Sequence, residues 1–276
     1  MKIEILISTM NRRNIEELEL ETKNIFSDCL IVNQITTNNL KLIKEELTKG
    51  NVRLISFRER GLSISRNRAL EKAKGDILLL TDDDVYYKKN FEKKIMKEFE
   101  KDKNLDILTF KAETSMGEDF KRYSKKSYTH NRRSILKVSS IEIAIRKSSV
   151  EKFDLKYDEL FGLGSLYETG EENIFLQEAL KKGCSIKFVP ISVAIHSKET
   201  SNRMLTDRTL FSKGALFFRL FGWFSLIFNL SFILKKRKKI LTRTSLINAM
   251  SEMYRGTLDY IRRCKCGESF NNNTYV

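Results

Sequence analysis

Short apolar runs alternate with charged, helix-length stretches over the first 110 residues. Ile3–Ile7, Cys29–Val32, Val52–Phe57, Ile77–Leu80 and Leu105–Phe110 read as strands. Between them, Asn14–Ile25, Leu40–Leu47, Ser63–Lys74 and Lys88–Lys101 read as helices, and Gly75 stands where a C′ glycine would end the third. Ile77–Leu80 is apolar at every position, as expected of a strand covered on both faces. Strand and helix in alternation predict right-handed βαβ crossovers and an α/β fold with a mainly parallel sheet. From Gly117 to Asn131 the chain turns polar and irregular. Val138–Ile145 then reads as a strand, and Glu171–Lys182 as a helix ended by Gly183. Ile186–Val189 and Val193–Ile195 read as strands on either side of the sole proline, Pro190. The alternation stops after Ser197, which divides the chain into an α/β domain over residues 1–200 and a helical tail over 201–276.

In open parallel sheets the ligand crevice lies outside the carboxyl ends of the strands. The polar residues that follow the runs should therefore converge: Ser8-Thr9-Met10-Asn11, Asn33-Gln34, Arg58-Glu59-Arg60 and Asp82-Asp83-Asp84. Three consecutive aspartates repel one another unless a cation compensates them, and hard divalent ions such as Mg2+ or Mn2+ take carboxylate oxygens together with substrate phosphates. The alternative is an acidic turn capping the helix that begins near Lys88. A second constellation is Gly162-Leu163-Gly164-Ser165-Leu166-Tyr167-Glu168-Thr169-Gly170-Glu171-Glu172, a glycine loop entering a helix. Its acids either complement the helix dipole or supply a general base. His196, directly after a strand, is a candidate metal ligand or a structural histidine; His130, in a Lys/Arg-rich stretch, reads as surface. Arg60 to Arg68 opens a helix and is either a phosphate site or an exposed basic helix start.

Charge and apolarity concentrate in the tail. The net charge is +15, and residues 197–276 hold 15 basic and 5 acidic side chains. Such a balance fits nucleic acid, an anionic membrane surface or an anionic small ligand. Gly214–Leu234 carries one charge, Arg219, and is followed by Lys235-Lys236-Arg237-Lys238-Lys239. Its length would span a bilayer, but a span would carry five basic residues across the membrane, against the positive-inside bias. An interfacial segment is the expected arrangement, with a span or an internal core helix as alternatives. Basic residues interleaved with aromatics, which single-strand nucleic-acid binding calls for, are not the pattern here, so no nucleic-acid partner is expected. Cys29, Cys184, Cys264 and Cys266 have no metal-ligand spacing and read as thiols of a reducing compartment. The amino terminus runs straight into a strand pattern without a secretory signal, which predicts a cytoplasmic protein, and the interfacial tail would set it at the inner face of the cell membrane.

Taken in order, these motifs resemble the family-two inverting glycosyltransferases of the GT-A nucleotide-sugar fold, of the bacterial surface-polysaccharide type. The resemblance runs from Ile5-Leu6-Ile7-Ser8-Thr9-Met10-Asn11-Arg12 through Gly61-Leu62-Ser63-Ile64-Ser65-Arg66-Asn67. It continues through Gly75-Asp76-Ile77-Leu78-Leu79-Leu80-Thr81-Asp82-Asp83-Asp84 and Gly170-Glu171-Glu172 to His196. It implies a GT-A-like, Rossmann-related mixed sheet flanked by helices, with a membrane-associating helical tail. It also implies transfer of a sugar from a nucleotide-sugar, with UDP the expected nucleotide, to the hydroxyl of a glycan or lipid-linked glycan acceptor, with inversion.

By the same resemblance, Glu172 would be the catalytic base, and Asp84 and His196 would ligate Mn2+ or Mg2+. Thr9, Asn11, Asn33, Arg66, Asp82 and Asp83 would face the nucleotide-sugar, with the register among the three aspartates open. The pair Glu171-Glu172 replaces the family's Glu-Asp, and Asn33-Gln34 replace an acid that reads the base. Ser197–Asp207 would suit a lid. A nucleotidyltransferase is the competing enzyme class, disfavoured because Ser8-Thr9-Met10-Asn11-Arg12-Arg13 lacks the glycines of a phosphate loop. A catalytically silent sugar-nucleotide-binding homologue is the other alternative.

Overall fold

The structure is a computed structural model, and it describes residues 1–36, 45–196 and 205–265. The chain divides into two compact units. The first comprises residues 1–60, 64–156 and 175–202, and the second residues 61–63, 157–174 and 203–276.

The first unit is built on one mixed sheet. Its strands in chain order are β1 (Ile3–Met10), β2 (Asp28–Gln34), β3 (Glu46–Lys49), β4 (Val52–Phe57), β5 (Ile77–Asp82), β6 (Tyr86–Tyr87), β7 (Ile107–Glu113), β8 (Tyr128–Thr129), β9 (Ile143–Arg146) and β10 (Ile186–Ile195). They lie in the order β3-β4-β2-β1-β5-β9-β7-β10-β6, with β8 paired to β10. The chain first builds outward from β1 through β2 and β4, then returns to place β5 on the opposite side of β1. The order therefore reverses between β1 and β5, a topological switch point where the carboxyl ends of parallel strands leave a crevice. Ser8 is in register with Asp82, and Thr9 with Asn33.

Helices α1 (Leu62–Lys72), α2 (Phe91–Lys101), α3 (Lys147–Lys152) and α4 (Glu171–Lys181) accompany the sheet. Phe91, Ile95 and Phe99 recur on one face of α2, are buried, and join a core containing Ile5, Ile7, Leu79, Leu108 and Phe110. The ion pair of Glu4 and Arg53 is anchored from inside. Glu4 also accepts the backbone N–H groups of Lys74 (2.5 Å) and Gly75 (2.7 Å), and Arg53 lies 2.9 Å from it. A Cβ on Gly75 would stand 2.6 Å from that of Glu4. Glycine is therefore required by close approach, and not by the left-handed cap that its position after the helix predicts.

Three expectations are corrected. Asn14–Ile25 is not a helix: only Glu16–Leu18 forms a 3-10 turn, because Glu19 (φ 48°) and Asn24 (φ 60°) take left-handed backbone conformations. The segment instead folds Leu18, Leu20 and Ile25 inward as a buried loop. Of Leu40–Leu47, residues 40–44 lie outside the described residues, and Glu46–Lys49 is an edge strand antiparallel to β4. Val138–Ile145 contains a 3-10 turn with a capping box at Ser139 and Glu142, and only Ile143–Arg146 is a strand, antiparallel to both neighbours. The sheet is thus mixed, not strictly βαβ.

The second unit holds α5 (Asp207–Phe221), α6 (Ser225–Leu241) and α7 (Leu246–Lys265). Thr206 caps α5 by accepting from Thr209 N at 3.2 Å. Helices α5 and α7 meet through two glycines. A Cβ on Gly214 would be 1.8 Å from the carbonyl oxygen of Met253, and one on Gly256 would be 1.9 Å from that of Phe211. Leu210, Ile233, Ala249 and Met253 form the local core. The apolar stretch Gly214–Leu234 is broken by the 3-10 turn Gly222–Phe224. Its first half packs Ala215, Leu216 and Leu220 inward, and Arg219 pairs with Asp158 at 3.1 Å with both side chains largely buried. Residues Asp207–Leu241 are long and apolar enough to cross a membrane by length and composition.

Candidate functional site

The carboxyl ends of β1, β2, β5 and β10 carry the predicted cluster. Asn11 takes the left-handed backbone conformation (φ 57°) that lets the chain turn as β1 ends. Its N–H donates to Gln34 O (2.9 Å), and its side chain brackets Thr36 by accepting from Thr36 N (3.0 Å) and donating to Thr36 Oγ1 (3.0 Å). The turn presents Arg12, whose guanidinium reaches Asp83 Oδ2 at 2.9 Å and Thr9 Oγ1 at 3.2 Å. Thr9 Oγ1 itself donates to Asp83 Oδ2 at 2.5 Å. Thr9, Arg12 and Asp83 therefore form one knot joining β1 to the turn after β5.

Asn33 is fully buried beneath that knot. Its amide accepts from Arg12 N (2.9 Å) and donates to Arg12 O (2.8 Å) and Ser56 Oγ (3.2 Å). Both of its N–H donors are thereby engaged. Asn33 holds the Arg12 turn in place. Arg66, in α1, is 2 % exposed and contacts Asp82 Oδ1 at 3.0 Å. Ser65 Oγ donates to Ser8 Oγ (2.9 Å), and Ser140 Oγ lies 3.5 Å from Asp82 Oδ2. So buried, Arg66 supports Asp82 from within the fold.

The three aspartates are thus compensated separately: Asp82 by Arg66, Asp83 by Arg12, and Asp84 by His196. Cationic or hydrogen-bonding protein groups stand against each of the three carboxylates. His196 Nε2 lies 3.2 Å from Asp84 Oδ1, bringing together side chains 112 positions apart in the sequence. The hydrogen bond from His196 is the main cause holding the Asp84 carboxyl below its usual range, against the opposing effect of burial. Asp84 is about half exposed whereas His196 is 10 % exposed, with Phe120 edge-on to its ring at 5.6 Å. One carboxylate oxygen and one imidazole nitrogen at a solvent-facing turn suit a divalent ion that completes its shell with water and substrate oxygens. No group of three or more His, Cys, Asp or Glu side chains that could hold a metal ion occurs among the described residues.

Glu171 and Glu172 belong to the second unit, where they open α4. Gly162 (φ 112°), Gly164 (φ 82°) and Gly170 (φ 93°) let the preceding loop turn tightly. A Cβ on Gly170 would strike the side chain of Leu216 at 2.3 Å. Tyr167 fixes the loop by packing, tilted or edge-on, among Phe161, Phe211 and Tyr260 and donating to Asp259 Oδ2 at 2.7 Å. Lys213, which the motifs did not single out, donates to Thr169 Oγ1 at 3.2 Å. Burial lowers its ammonium pKa, opposed by the negative charges of Glu172 and Glu171. A lone lysine ahead of an apolar helical run was the available signal. Ser197–Asp207, read as a lid, falls outside the described residues over 197–204.

Comparison with known proteins follows the same outline. The family model for glycosyl transferase family 2 matches residues 5–156, more than half of the chain. The chain belongs to glycosyl transferase family 2. No curated protein matches it in sequence. Among solved structures, this family 2 chain is similar to S. aureus TarS 1-349 in complex with UDP-GlcNAc, at TM-score 0.65 and 17% identity, over 95% of this chain and 81% of that one. It is also similar to TarS 1-349 in complex with UDP, at TM-score 0.60 and 14% identity, over 100% of this chain and 94% of the other. These likenesses show the GT-A-like fold of a family 2 glycosyltransferase.

Proposed function

We propose that the protein transfers a sugar from a UDP-sugar to an acceptor hydroxyl with inversion, and that the donor binds at the β1/β5 switch point. The reading is supported most by the Thr9–Arg12–Asp83 knot standing beside the Asp84–His196 pair, in a member of family 2. The similar TarS structures hold UDP-GlcNAc and UDP. Asp82 and Asp83, fixed by Arg66 and Arg12, face the ribose and diphosphate, and Asn11 and Asn33 shape the turn against the base. Asp84 and His196 would hold Mn2+ or Mg2+, which when bound offsets charge on the leaving diphosphate. Glu172 takes the proton from the acceptor hydroxyl as it attacks the anomeric carbon opposite the leaving nucleotide. Exchange of Glu172 for Gln should abolish transfer while leaving UDP-sugar binding intact; full activity in that variant refutes the assignment.

The tail completes the proposal by placing the enzyme on an anionic membrane surface, with a glycan or lipid-linked glycan as acceptor, at the inner face of the cell membrane. Trp223 (78 % exposed), Phe224 and Ile227 lie at the surface, followed by the basic run Lys235–Lys239. Apolar side chains inserting between headgroups and lysines meeting them is the chemistry of an interfacial helix.

A further inference from the structure

The polar stretch Gly117–Asn131 and the residues after it cover a cavity of about 400 Å³ on the sheet of the first unit. Leu108, Phe110 and Ala112 of β7 point into the main core, so the alternate Thr109 faces the opposite side, where it lines the cavity. Two features of the lining are unusual together. One is an aromatic wall. Phe188 stacks on Tyr128 at 5.0 Å and lies parallel to Tyr123 at 6.1 Å, and Tyr128 packs on His130 at 5.0 Å. The other is uncompensated positive charge. The acid of the lining, Glu142, is 2 % exposed and already held by Lys121 (2.6 Å), by the Tyr123 hydroxyl and by Ser139 N (3.0 Å). Arg122, Arg133 and Lys137 also line the cavity, are exposed, and have no acidic partner among the described residues.

His130 adds shape without charge. Its ring is 5 % exposed and shared between Thr109 Oγ1 (2.8 Å) and Ser134 Oγ (2.9 Å). The cavity is also tied to the donor cluster. The 3-10 turn Ser140–Glu142 sets Ser140 against Asp82 at one end and Glu142 in the cavity floor at the other.

We propose that this cavity binds an anionic saccharide unit of the acceptor. Arg122, Arg133 and Lys137 take its phosphate or carboxylate oxygens, and the sugar ring lies against Tyr128 and Phe188. Cations without internal partners bind an anion with no ion pair to break, and arginine suits planar or tetrahedral oxyanions. An aromatic wall gives the ring an apolar contact face that a simple anion cannot use. The acceptor assignment rests on the transfer reading above; the binding site does not.

The test is titration of the full chain with glucose 6-phosphate, glucuronate, glucose and inorganic phosphate, followed by NMR or calorimetry, with UDP binding measured in parallel. Either or both anionic sugars should bind, and which one does identifies the anionic group. Glucose and inorganic phosphate should bind at least about tenfold more weakly. The triple variant R122A/R133A/K137A should lose anionic-sugar binding by about a hundredfold or more and keep UDP binding, since charge-assisted contacts contribute roughly tenfold or more each. Several outcomes overturn the proposal: no binding of either anionic sugar, equal binding of inorganic phosphate or glucose, or undiminished binding in the variant. Loss of UDP binding in the wild-type chain with sugar binding intact would instead refute the transfer reading and leave the cavity as a saccharide site.

Discussion

His130 is predicted to make the protein sensitive to mild acid. Its imidazole is buried between Thr109 and Ser134, and desolvation, aided by the charge of Lys121, pushes its pKa down from 6.5 to about 4. Below the ordinary histidine pKa the unfolded chain takes up a proton that the folded chain refuses. The stabilising difference is therefore fully present above about pH 6.5 and is lost as pH falls toward about 4. With about 1.4 kcal/mol per pKa unit, the loss between about pH 7.5 and about pH 5 comes to about 2 kcal/mol. Carboxylates also titrate toward the acid end, so the contribution of His130 is isolated by difference. Urea unfolding of the wild type and of His130→Gln, followed by tryptophan-independent far-UV circular dichroism at a series of pH values, gives the two slopes. The glutamine keeps a donor and an acceptor but does not titrate. The wild type should lose about 2 kcal/mol more than the variant over that interval. Identical pH slopes would refute the claim that a buried neutral imidazole holds the covering segment to the sheet.

Other perturbations test separate parts of the structure. Glu4→Ala removes the acceptor of two backbone N–H groups and leaves Arg53 without its carboxylate, with only the Lys72 carbonyl at 2.9 Å, which should cost about 3 kcal/mol in urea unfolding. Gly214→Ala or Gly256→Ala places a methyl group within 2 Å of a backbone carbonyl oxygen, so α5 and α7 must part. Either should destabilise the helical unit by about 3 kcal/mol or more, read by amide hydrogen exchange in α7. Replacing Trp223 and Ile227 by Ser should weaken cosedimentation with vesicles of anionic lipid, and replacing Lys235, Lys236 and Lys238 by Gln should weaken it by about fivefold per charge and reduce its salt sensitivity. Vesicle binding unchanged in both would refute the membrane reading of the tail.

The parts of the fold legible in the sequence were those fixed by local pattern. Ile3–Ile7 and Ile77–Leu80 are apolar at nearly every position, and each proved to be a strand covered on both sides. The glycines before Glu171 and at Gly183 announced the limits of α4. Asn14–Ile25 misled because apolar residues at helical spacing can also be buried by a turn-rich loop, and left-handed Glu19 carries no compositional signal. The antiparallel insertion of β9 between β5 and β7 depends on partners distant in the chain, which no local period encodes. Candidate site residues were legible as positions, but few of their partners were. Asp84 and His196 were paired in advance by the resemblance and meet in the structure, whereas the internal engagement of Asn33 and Arg66 depends on burial. His130, read as surface from its charged neighbours, is buried because its ring nitrogens find two hydroxyls. The apolar tail likewise read as one stretch until the turn at Gly222 and the Arg219–Asp158 pair divided it.

The central claim is that a nucleotide-sugar occupies the β1/β5 crevice through residues held by the Arg12–Asp83 knot. Calorimetric titration of UDP-GlcNAc into the wild type and into Asp83→Asn, each with Mn2+ and with chelator, tests it most directly. The account predicts saturable binding by the wild type that weakens with chelator, and a loss of at least about tenfold in the variant with no change in its unfolding temperature beyond a few degrees. Equal affinity in both proteins, or binding that ignores chelator and substitution alike, would contradict it.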